Sequence, residues 1–338
     1  MSLDESAPRA ANIFDVARLA GVSHQTVSRV INDLPNVRPA TRARVEHAIA
    51  QLRYSPSPAA RALVTRRTRT IGLVTPATSD FGPNSIAMHF NHAARAARYS
   101  VDAVSAVDGD PAGVRAIIDG LLRQRVDAIV LVVDDVVVLD AVRSLELSVP
   151  LVAAAASPRR HPLIVSIDQY RGARSAVRHL TDLGHRRILH VAGPERAPDA
   201  VERIRGWRDE LAASRLEAVE PRHGDWTPES GFRIGLDLDV GAGGAVFVAN
   251  DQMAIGLLAA LRDRGIRVPD DVSIVGFDDV PEAGYLFPPL TTVRQDFASL
   301  GALMMQKVLL AVEEPGMVTE DTPLPTRLIV RQSTRAVD

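Results

Sequence analysis

The chain of 338 residues is longer than one ordinary hydrophobic core organises and suits two or three. Hydrophobic residues make up 46% and charged residues 24%, a globular profile, and no apolar run reaches the roughly 18–20 residues that a membrane span requires. Cysteine is absent, which excludes disulfides, thiolate zinc sites and cysteine nucleophiles. Residues 1–9 read as a loose polar tail without the plan of a secretory signal, so a cytoplasmic protein is expected.

The net charge of −2 conceals an asymmetry. Residues 1–70 carry eleven arginines against five acids, a surplus of +6, while the remainder sums to −8. A basic end on an acidic body implies that only the end meets a polyanion.

Three short helical patterns fill residues 12–52. Asn12 can cap the first, with Asp15 in its first turn and Val16, Ala17 and Ala20 as its buried stripe. Gly21 and Val22 break it, and Ser23 caps a second helix that buries Val27, Val30 and Ile31. After a loop at 32–39 a third helix runs over 40–52, with Val45, Ala48, Ile49 and Leu52 facing inward. Two short helices around a glycine turn, braced by a third, form a helix-turn-helix. A punctuated link, Tyr54-Ser55-Pro56-Ser57-Pro58, leads to a short alanine-rich helix candidate at 59–64. Basic, loop-like sequence follows at 65–70.

From Thr70 onward strands and helices alternate. Apolar strand runs fall at 71–75, 128–133, 151–156, 188–192, 245–249 and 272–277. Runs apolar on both faces fit parallel sheets covered by helices, and the length of the stretch favours two α/β lobes over one.

The run Asp15-Val16-Ala17-Arg18-Leu19-Ala20-Gly21-Val22-Ser23-His24-Gln25-Thr26-Val27-Ser28-Arg29-Val30-Ile31-Asn32 resembles the headpiece of the lactose-repressor (LacI/GalR) family. Downstream pieces agree in order: Leu52-Arg53-Tyr54-Ser55-Pro56, Val248-Ala249-Asn250-Asp251-Gln252-Met253, Val275-Gly276-Phe277-Asp278-Asp279 and Pro289-Leu290-Thr291-Thr292. The resemblance spans the chain. It implies a flexible tail at 1–11, an all-α helix-turn-helix headpiece at 12–56, a hinge helix and linker at 57–69, and a core at 70–338. The core is expected to be a two-lobe α/β body of the type I periplasmic-binding-protein kind. Its N-lobe would hold 70–167 and 296–323, its C-lobe 168–293 and 324–335, with crossovers near Ile167 to Gln169, Val293 to Gln295 and Leu324.

What this implies is a sequence-specific transcription regulator, a repressor relieved by a small sugar-like effector in the interlobe cleft. The second helix enters the major groove, where His24, Gln25 and Arg29 occupy base-reading positions. Gln can bond adenine twice and Arg can grip guanine O6 and N7. Thr26 and Ser28 are expected on phosphates, and Ser23, Asn32 and Arg61 complete the set. Leu63 on the hinge helix would wedge into the minor groove of a pseudo-palindromic double-stranded operator. Arg203, Asn250, Asp278 and Gln295 are expected to bind effector hydroxyls. Trp226 and Phe297 would supply apolar faces, and Phe81, Pro83 and Asn84 the N-lobe wall. Two positions depart from the family's lactose-type pocket. Ala155 stands where an effector-binding aspartate is expected, and Val132 replaces an asparagine, so a galactoside is disfavoured. The chain stops shortly after Leu328-Ile329-Val330-Arg331-Gln332-Ser333, without a leucine-heptad tail, so a homodimer is expected.

No cofactor or metal is called for, and no enzyme is read. The chain has no G-x-S-x-G elbow, P-loop or H-E-x-x-H. The alternative is a regulator of the same fold that uses a purine-like co-repressor or a protein partner.

Overall fold

An eight-residue helix is too short to stand without capping and tertiary packing. The first helix, α1 (Ile13–Ala20), has both. Asn12 Oδ1 accepts from the amides of Phe14 and Asp15 at 2.9 and 3.1 Å, and Asp15 Oδ2 accepts from the Asn12 amide at 3.0 Å. Gly21 ends it at φ +63°, a left-handed turn that costs glycine no strain. Helices α2 (His24–Ile31) and α3 (Pro39–Gln51) follow, and Val16, Ala17, Ala20, Val27, Val30, Val45 and Ala48 form one small buried core.

The computed structural model describes residues 11–31, 34–54, 67–106, 110–143, 146–156, 164–241, 243–314 and 322–337. The chain divides into two compact units between Arg69 and Thr70. The expected contacts Asn32, Arg61 and Leu63 and the expected hinge helix at 59–64 lie outside the described residues. Among those described, no helix is long and apolar enough to cross a membrane.

The larger unit holds two sheets. The first has the order β2-β1-β3-β4-β5, built from β1 (Thr70–Pro76), β2 (Ser100–Ala106), β3 (Ala128–Val132), β4 (Leu151–Ala154) and β5 (Ile164–Val165), all parallel. Helices α4 (Phe81–Ala96) and α11 (Phe297–Glu313) cover one face around Phe90, Met304 and Val308. Helices α5 (Pro111–Arg123) and α6 (Val136–Arg143) lie on the other, around Ile118, Leu121 and Val138.

The second sheet has the order β11-β10-β9-β8-β6-β7. Its members are β6 (Ile188–Ala192), β7 (Arg222–His223), β8 (Gly244–Val248), β9 (Val272–Asp278), β10 (Thr291–Arg294) and β11 (Arg327–Ile329), parallel except for β10 with β11. Helices α7 (Gln169–Asp182) and α8 (Pro198–Ala213) cover one face, α9 (Pro228–Asp237) and α10 (Asp251–Asp263) the other. Glu210 fastens α8 to α7 by accepting from Arg174 at 2.7 Å and Arg178 at 2.7 and 2.9 Å. Burial alone would raise the Glu210 carboxyl; these bonds outweigh it and hold the group below its usual range.

His190 on β6 is a core residue. Its Nδ1 donates to the Phe247 carbonyl at 2.9 Å and its ring stacks on Phe247 at 4.6 Å, while Nε2 has no partner among the described residues. Burial, with the Arg203 charge as a smaller contribution, pushes its pKa from 6.5 down to about 3. The unfolded chain therefore binds a proton below 6.5 that the folded chain refuses until about 3. Stability from His190 is complete above pH 6.5 and is lost as pH falls. In urea titrations His190→Leu is expected to lose about 1.4 kcal/mol less per pH unit than the wild type across that window. Parallel acid profiles for the two proteins would contradict this.

Candidate ligand cleft and nucleic-acid interface

In the headpiece, Ser23 Oγ accepts from the Thr26 amide at 3.2 Å and opens α2. Val27 and Val30 are buried against α1 and α3, which leaves Ser23, His24, Gln25 and Arg29 exposed and Thr26 and Ser28 half-buried. The His24 ring lies 5.2 Å from Phe14. Arg29 donates to the Pro35 carbonyl at 2.8 Å, which draws its guanidinium toward the loop after α2. A short helix thus presents polar donors near its N-terminus, with a glycine turn behind it.

In the larger unit, both sheets aim their strand C-termini at one cavity of about 380 Å³. Its walls come from the segments after β1 (Asp80, Phe81, Pro83), β3 (Val132 to Asp135) and β4 (Ala154 to Ala156). On the other side stand the segments after β6 (Pro194, Arg196, Asp199), β7 (Trp226), β8 (Asn250) and β9–β10 (Asp278, Gln295). Each sheet reverses its strand order between β1 and β3 or between β6 and β8, and doubly wound sheets receive ligands at such reversals.

Four side chains at the cavity's edge close a ring. Gln295 donates to Asp278 Oδ1 at 2.7 Å, Gln169 donates to Gln295 Oε1 at 2.7 Å, and Arg203 Nε donates to Gln169 Oε1 at 3.0 Å. Arg203 Nη2 returns to within 3.7 Å of Asp278 Oδ1 and 3.6 Å of Asp199 Oδ2, while its Nη1 donates to the Ala249 carbonyl. The guanidinium also lies 3.9 Å from the Phe277 ring centre and 5.4 Å from that of Trp226. Arg203 is 2% exposed and Asp278 6%.

Burial raises Asp278 to about 6, although the Arg203 charge and the Gln295 hydrogen bond oppose it. Asp251, fully buried, is pushed up to about 8 by burial and then by the Asp278 charge. It accepts from Thr292 Oγ1 at 2.6 Å and from the Val280 amide at 3.0 Å, which fixes the turn after β9. Burial also raises Asp199, although the Arg203 charge opposes it.

Trp226 (φ +73°), Asp278 (φ +115°) and Asp279 (φ +56°) occupy left-handed backbone, a conformation that persists only where neighbours enforce it. Asp279 is gripped by Arg294 at 2.5 Å and Arg331 at 2.6 Å. Asn250 caps α10 by accepting from the Met253 amide at 2.9 Å and holds the Trp226 carbonyl at 3.0 Å. Phe81 and Phe297 meet edge to face at 5.7 Å.

Of the nine residues read as effector contacts, Phe81, Pro83, Arg203, Trp226, Asn250, Asp278, Gln295 and Phe297 line the cavity. Asn84 stands off its wall, with its amide spent on the carbonyls of Thr78 and Asp80 at 3.1 and 2.8 Å. Sequence reasoning passes over Gln169, Asp80, Asp134, Asp135, Arg196 and Asp199, which also line it. Most of them do carry a signal: each follows the C-terminal end of an apolar strand run, where α/β ligand sites form.

Two family models match the chain: bacterial regulatory proteins of the lacI family over residues 12–57, and a periplasmic binding protein-like domain over 177–334. The chain is 34% identical to the lactose operon repressor of Escherichia coli (strain K12) over 328 residues, 96% of this chain and 91% of that protein. It superposes on the lac repressor dimer bound to operator and the anti-inducer ONPF with a TM-score of 0.86 and 31% identity, covering 97% of this chain and 100% of that one. It is also similar to the transcriptional regulator CelR in its cellobiose complex, with a TM-score of 0.70 and 31% identity over 96% of this chain and 99% of that one.

Proposed function

The chain belongs to the lacI family of bacterial regulatory proteins, a transcription regulator with a DNA-binding domain, and we propose that it is a cytoplasmic, dimeric repressor released from its operator by a sugar-like effector in the interlobe cavity. One observation carries the effector reading: the buried ring of Arg203, Gln169, Gln295 and Asp278 beside Trp226 and the Phe81–Phe297 pair. Paired donors and acceptors next to aromatic faces match the vicinal hydroxyls and apolar face of a pyranose. The cavity's volume is in the range of small-molecule sites. Asp278 belongs to one lobe and Phe81 to the other, so a ligand that touches both can favour one lobe angle, limited by its differential affinity for the two states.

For the effector, the test is a thermal-shift screen of neutral sugars, amino sugars and nucleobases on the full-length chain. A ligand at about 100 times its dissociation constant adds roughly 2.7 kcal/mol of stability. Stabilisation by nucleobases alone would replace the sugar reading with a purine-like ligand.

For DNA, Arg29→Ala is expected to weaken binding to a selected pseudo-palindrome by about 1–3 kcal/mol and to relax one base position. Gel-shift titration on selected and random duplexes checks this. Equal losses on both would make Arg29 a phosphate contact or, through its bond to Pro35, a support for the loop after α2.

A further inference from the structure

We propose that the cleft's ligand is a polyhydroxylated molecule carrying a protonated amine, an amino sugar or iminosugar, and that Asp80 and Asp134 receive the amine. The inference rests on the reading of the cavity as an effector site and adds the ligand's charge. Five carboxylates line the cavity (Asp80, Asp134, Asp135, Asp199 and Asp278) against two guanidiniums, Arg196 and Arg203. Both guanidiniums are already compensated. Arg196 lies 2.8 Å from Asp135, and Arg203 sits between Asp278 and Asp199. Among the described residues no cation stands within ion-pair distance of Asp80 or Asp134.

A second observation points the same way. Asp278, more than nine-tenths buried, spends Oδ1 on Gln295, and no described residue donates a hydrogen bond to its Oδ2 on the cavity wall. Burial raises the carboxyls of Asp80 and Asp134. The charge of Asp225 adds to it at Asp80, and those of Asp135 and Asp80 at Asp134. Partly desolvated carboxylates without a counter-charge are unfavourable. Neutral hydroxyls can donate to such acceptors, yet they leave the surplus charge in place. An ammonium removes it and makes charge-assisted hydrogen bonds about twice as strong as neutral ones.

The experiment is calorimetric titration of the full-length chain at pH 7 with matched compounds. Glucosamine and galactosamine are each compared with the parent sugar and the N-acetyl derivative. The iminosugar 1-deoxynojirimycin is compared with glucose, putrescine serves as a cation without hydroxyls, and adenine as a nucleobase. At least one amine-bearing sugar is expected to bind about tenfold or more tighter than its neutral partner. That ratio should shrink in Asp134→Asn and, independently, in Asp80→Asn. The inference is overturned by equal affinity within every pair, by putrescine matching the amino sugars, by ratios unchanged in both variants, or by no binding of any amine-bearing sugar up to about 10 mM. Neutral sugars binding without charge preference would overturn it while leaving the sugar-effector reading intact. Adenine binding alone would overturn both.

Discussion

Arg203→Ala is expected to destabilise the larger unit by about 3–5 kcal/mol, the range for removing one partner of a buried ion pair. The substitution leaves Asp278 buried without its cation, strips a donor from Gln169 and the Ala249 carbonyl, and uncovers the Phe277 ring. Most of the loss comes from the uncompensated carboxylate, so the double variant Arg203→Met/Asp278→Asn, which removes both charges and keeps an acceptor for Gln295 on a residue that tolerates left-handed backbone, should recover more than half of it. Denaturant titration measures both. A loss below about 1 kcal/mol for the single variant would mean that the pair behaves as a solvated surface contact, contrary to its burial.

The second large effect is expected at Gly256, where α9 and α10 touch backbone to backbone. A methyl group there would fall 1.8 Å from the Pro228 carbonyl oxygen and 2.7 Å from the Phe232 nitrogen, and one on Gly231 would fall 2.1 Å from the Met253 oxygen. No side chain can swing aside, so the helices must separate. Gly256→Ala is expected to cost about 3 kcal/mol or more, a fall in Tm of at least about 6 °C for a unit of this size. The separation also reaches the cleft, because Trp226 precedes α9 and is held by Asn250 at the start of α10. Gly120→Ala on α5 is the matched control. Its methyl meets nothing closer than 3.8 Å, and the substitution is expected to be neutral or mildly stabilising. Similar Tm values for the two variants would contradict the close approach.

How much of the fold is legible in the residues depends on how local each signal is. Asn12, Asp15, Gly21 and Ser23 act within a few residues of themselves, so the three headpiece helices can be read from the amino-acid sequence alone. Strands buried on both faces, such as β3, β6 and β9, announce themselves as apolar runs. Edge strand β2 is Ser-Val-Asp-Ala-Val-Ser-Ala and mostly solvated, so no such run marks it. β10 escapes sequence reading for the opposite reason. Its buried Thr291 and Thr292 are satisfied by Ser333 and Asp251, partners 42 and 41 residues away. The same limit applies to the cleft. Gln169 joins the ring only because α7 packs on α8 through Glu210 and brings it to Arg203. The positions of its neighbours put Asn84 on the wall, and nothing local shows that its amide turns back to Thr78 and Asp80.

Occupancy of this cleft is expected to lower specific DNA affinity. The measurement is titration of a selected pseudo-palindromic operator, and of a random duplex of equal length, with the full-length chain in the presence and absence of the sugar-like compound identified by screening. The expected result is a loss of operator affinity of about 1–3 kcal/mol, roughly 5- to 150-fold. Binding to the random duplex should change little, since the positive charge of the headpiece arginines is unaltered. In Asp278→Ala the ligand-induced change should disappear. Tighter operator binding with ligand would make the compound a co-repressor and reverse the sign of the switch. An undiminished response in Asp278→Ala would place the effector outside the ring of Arg203, Gln169, Gln295 and Asp278.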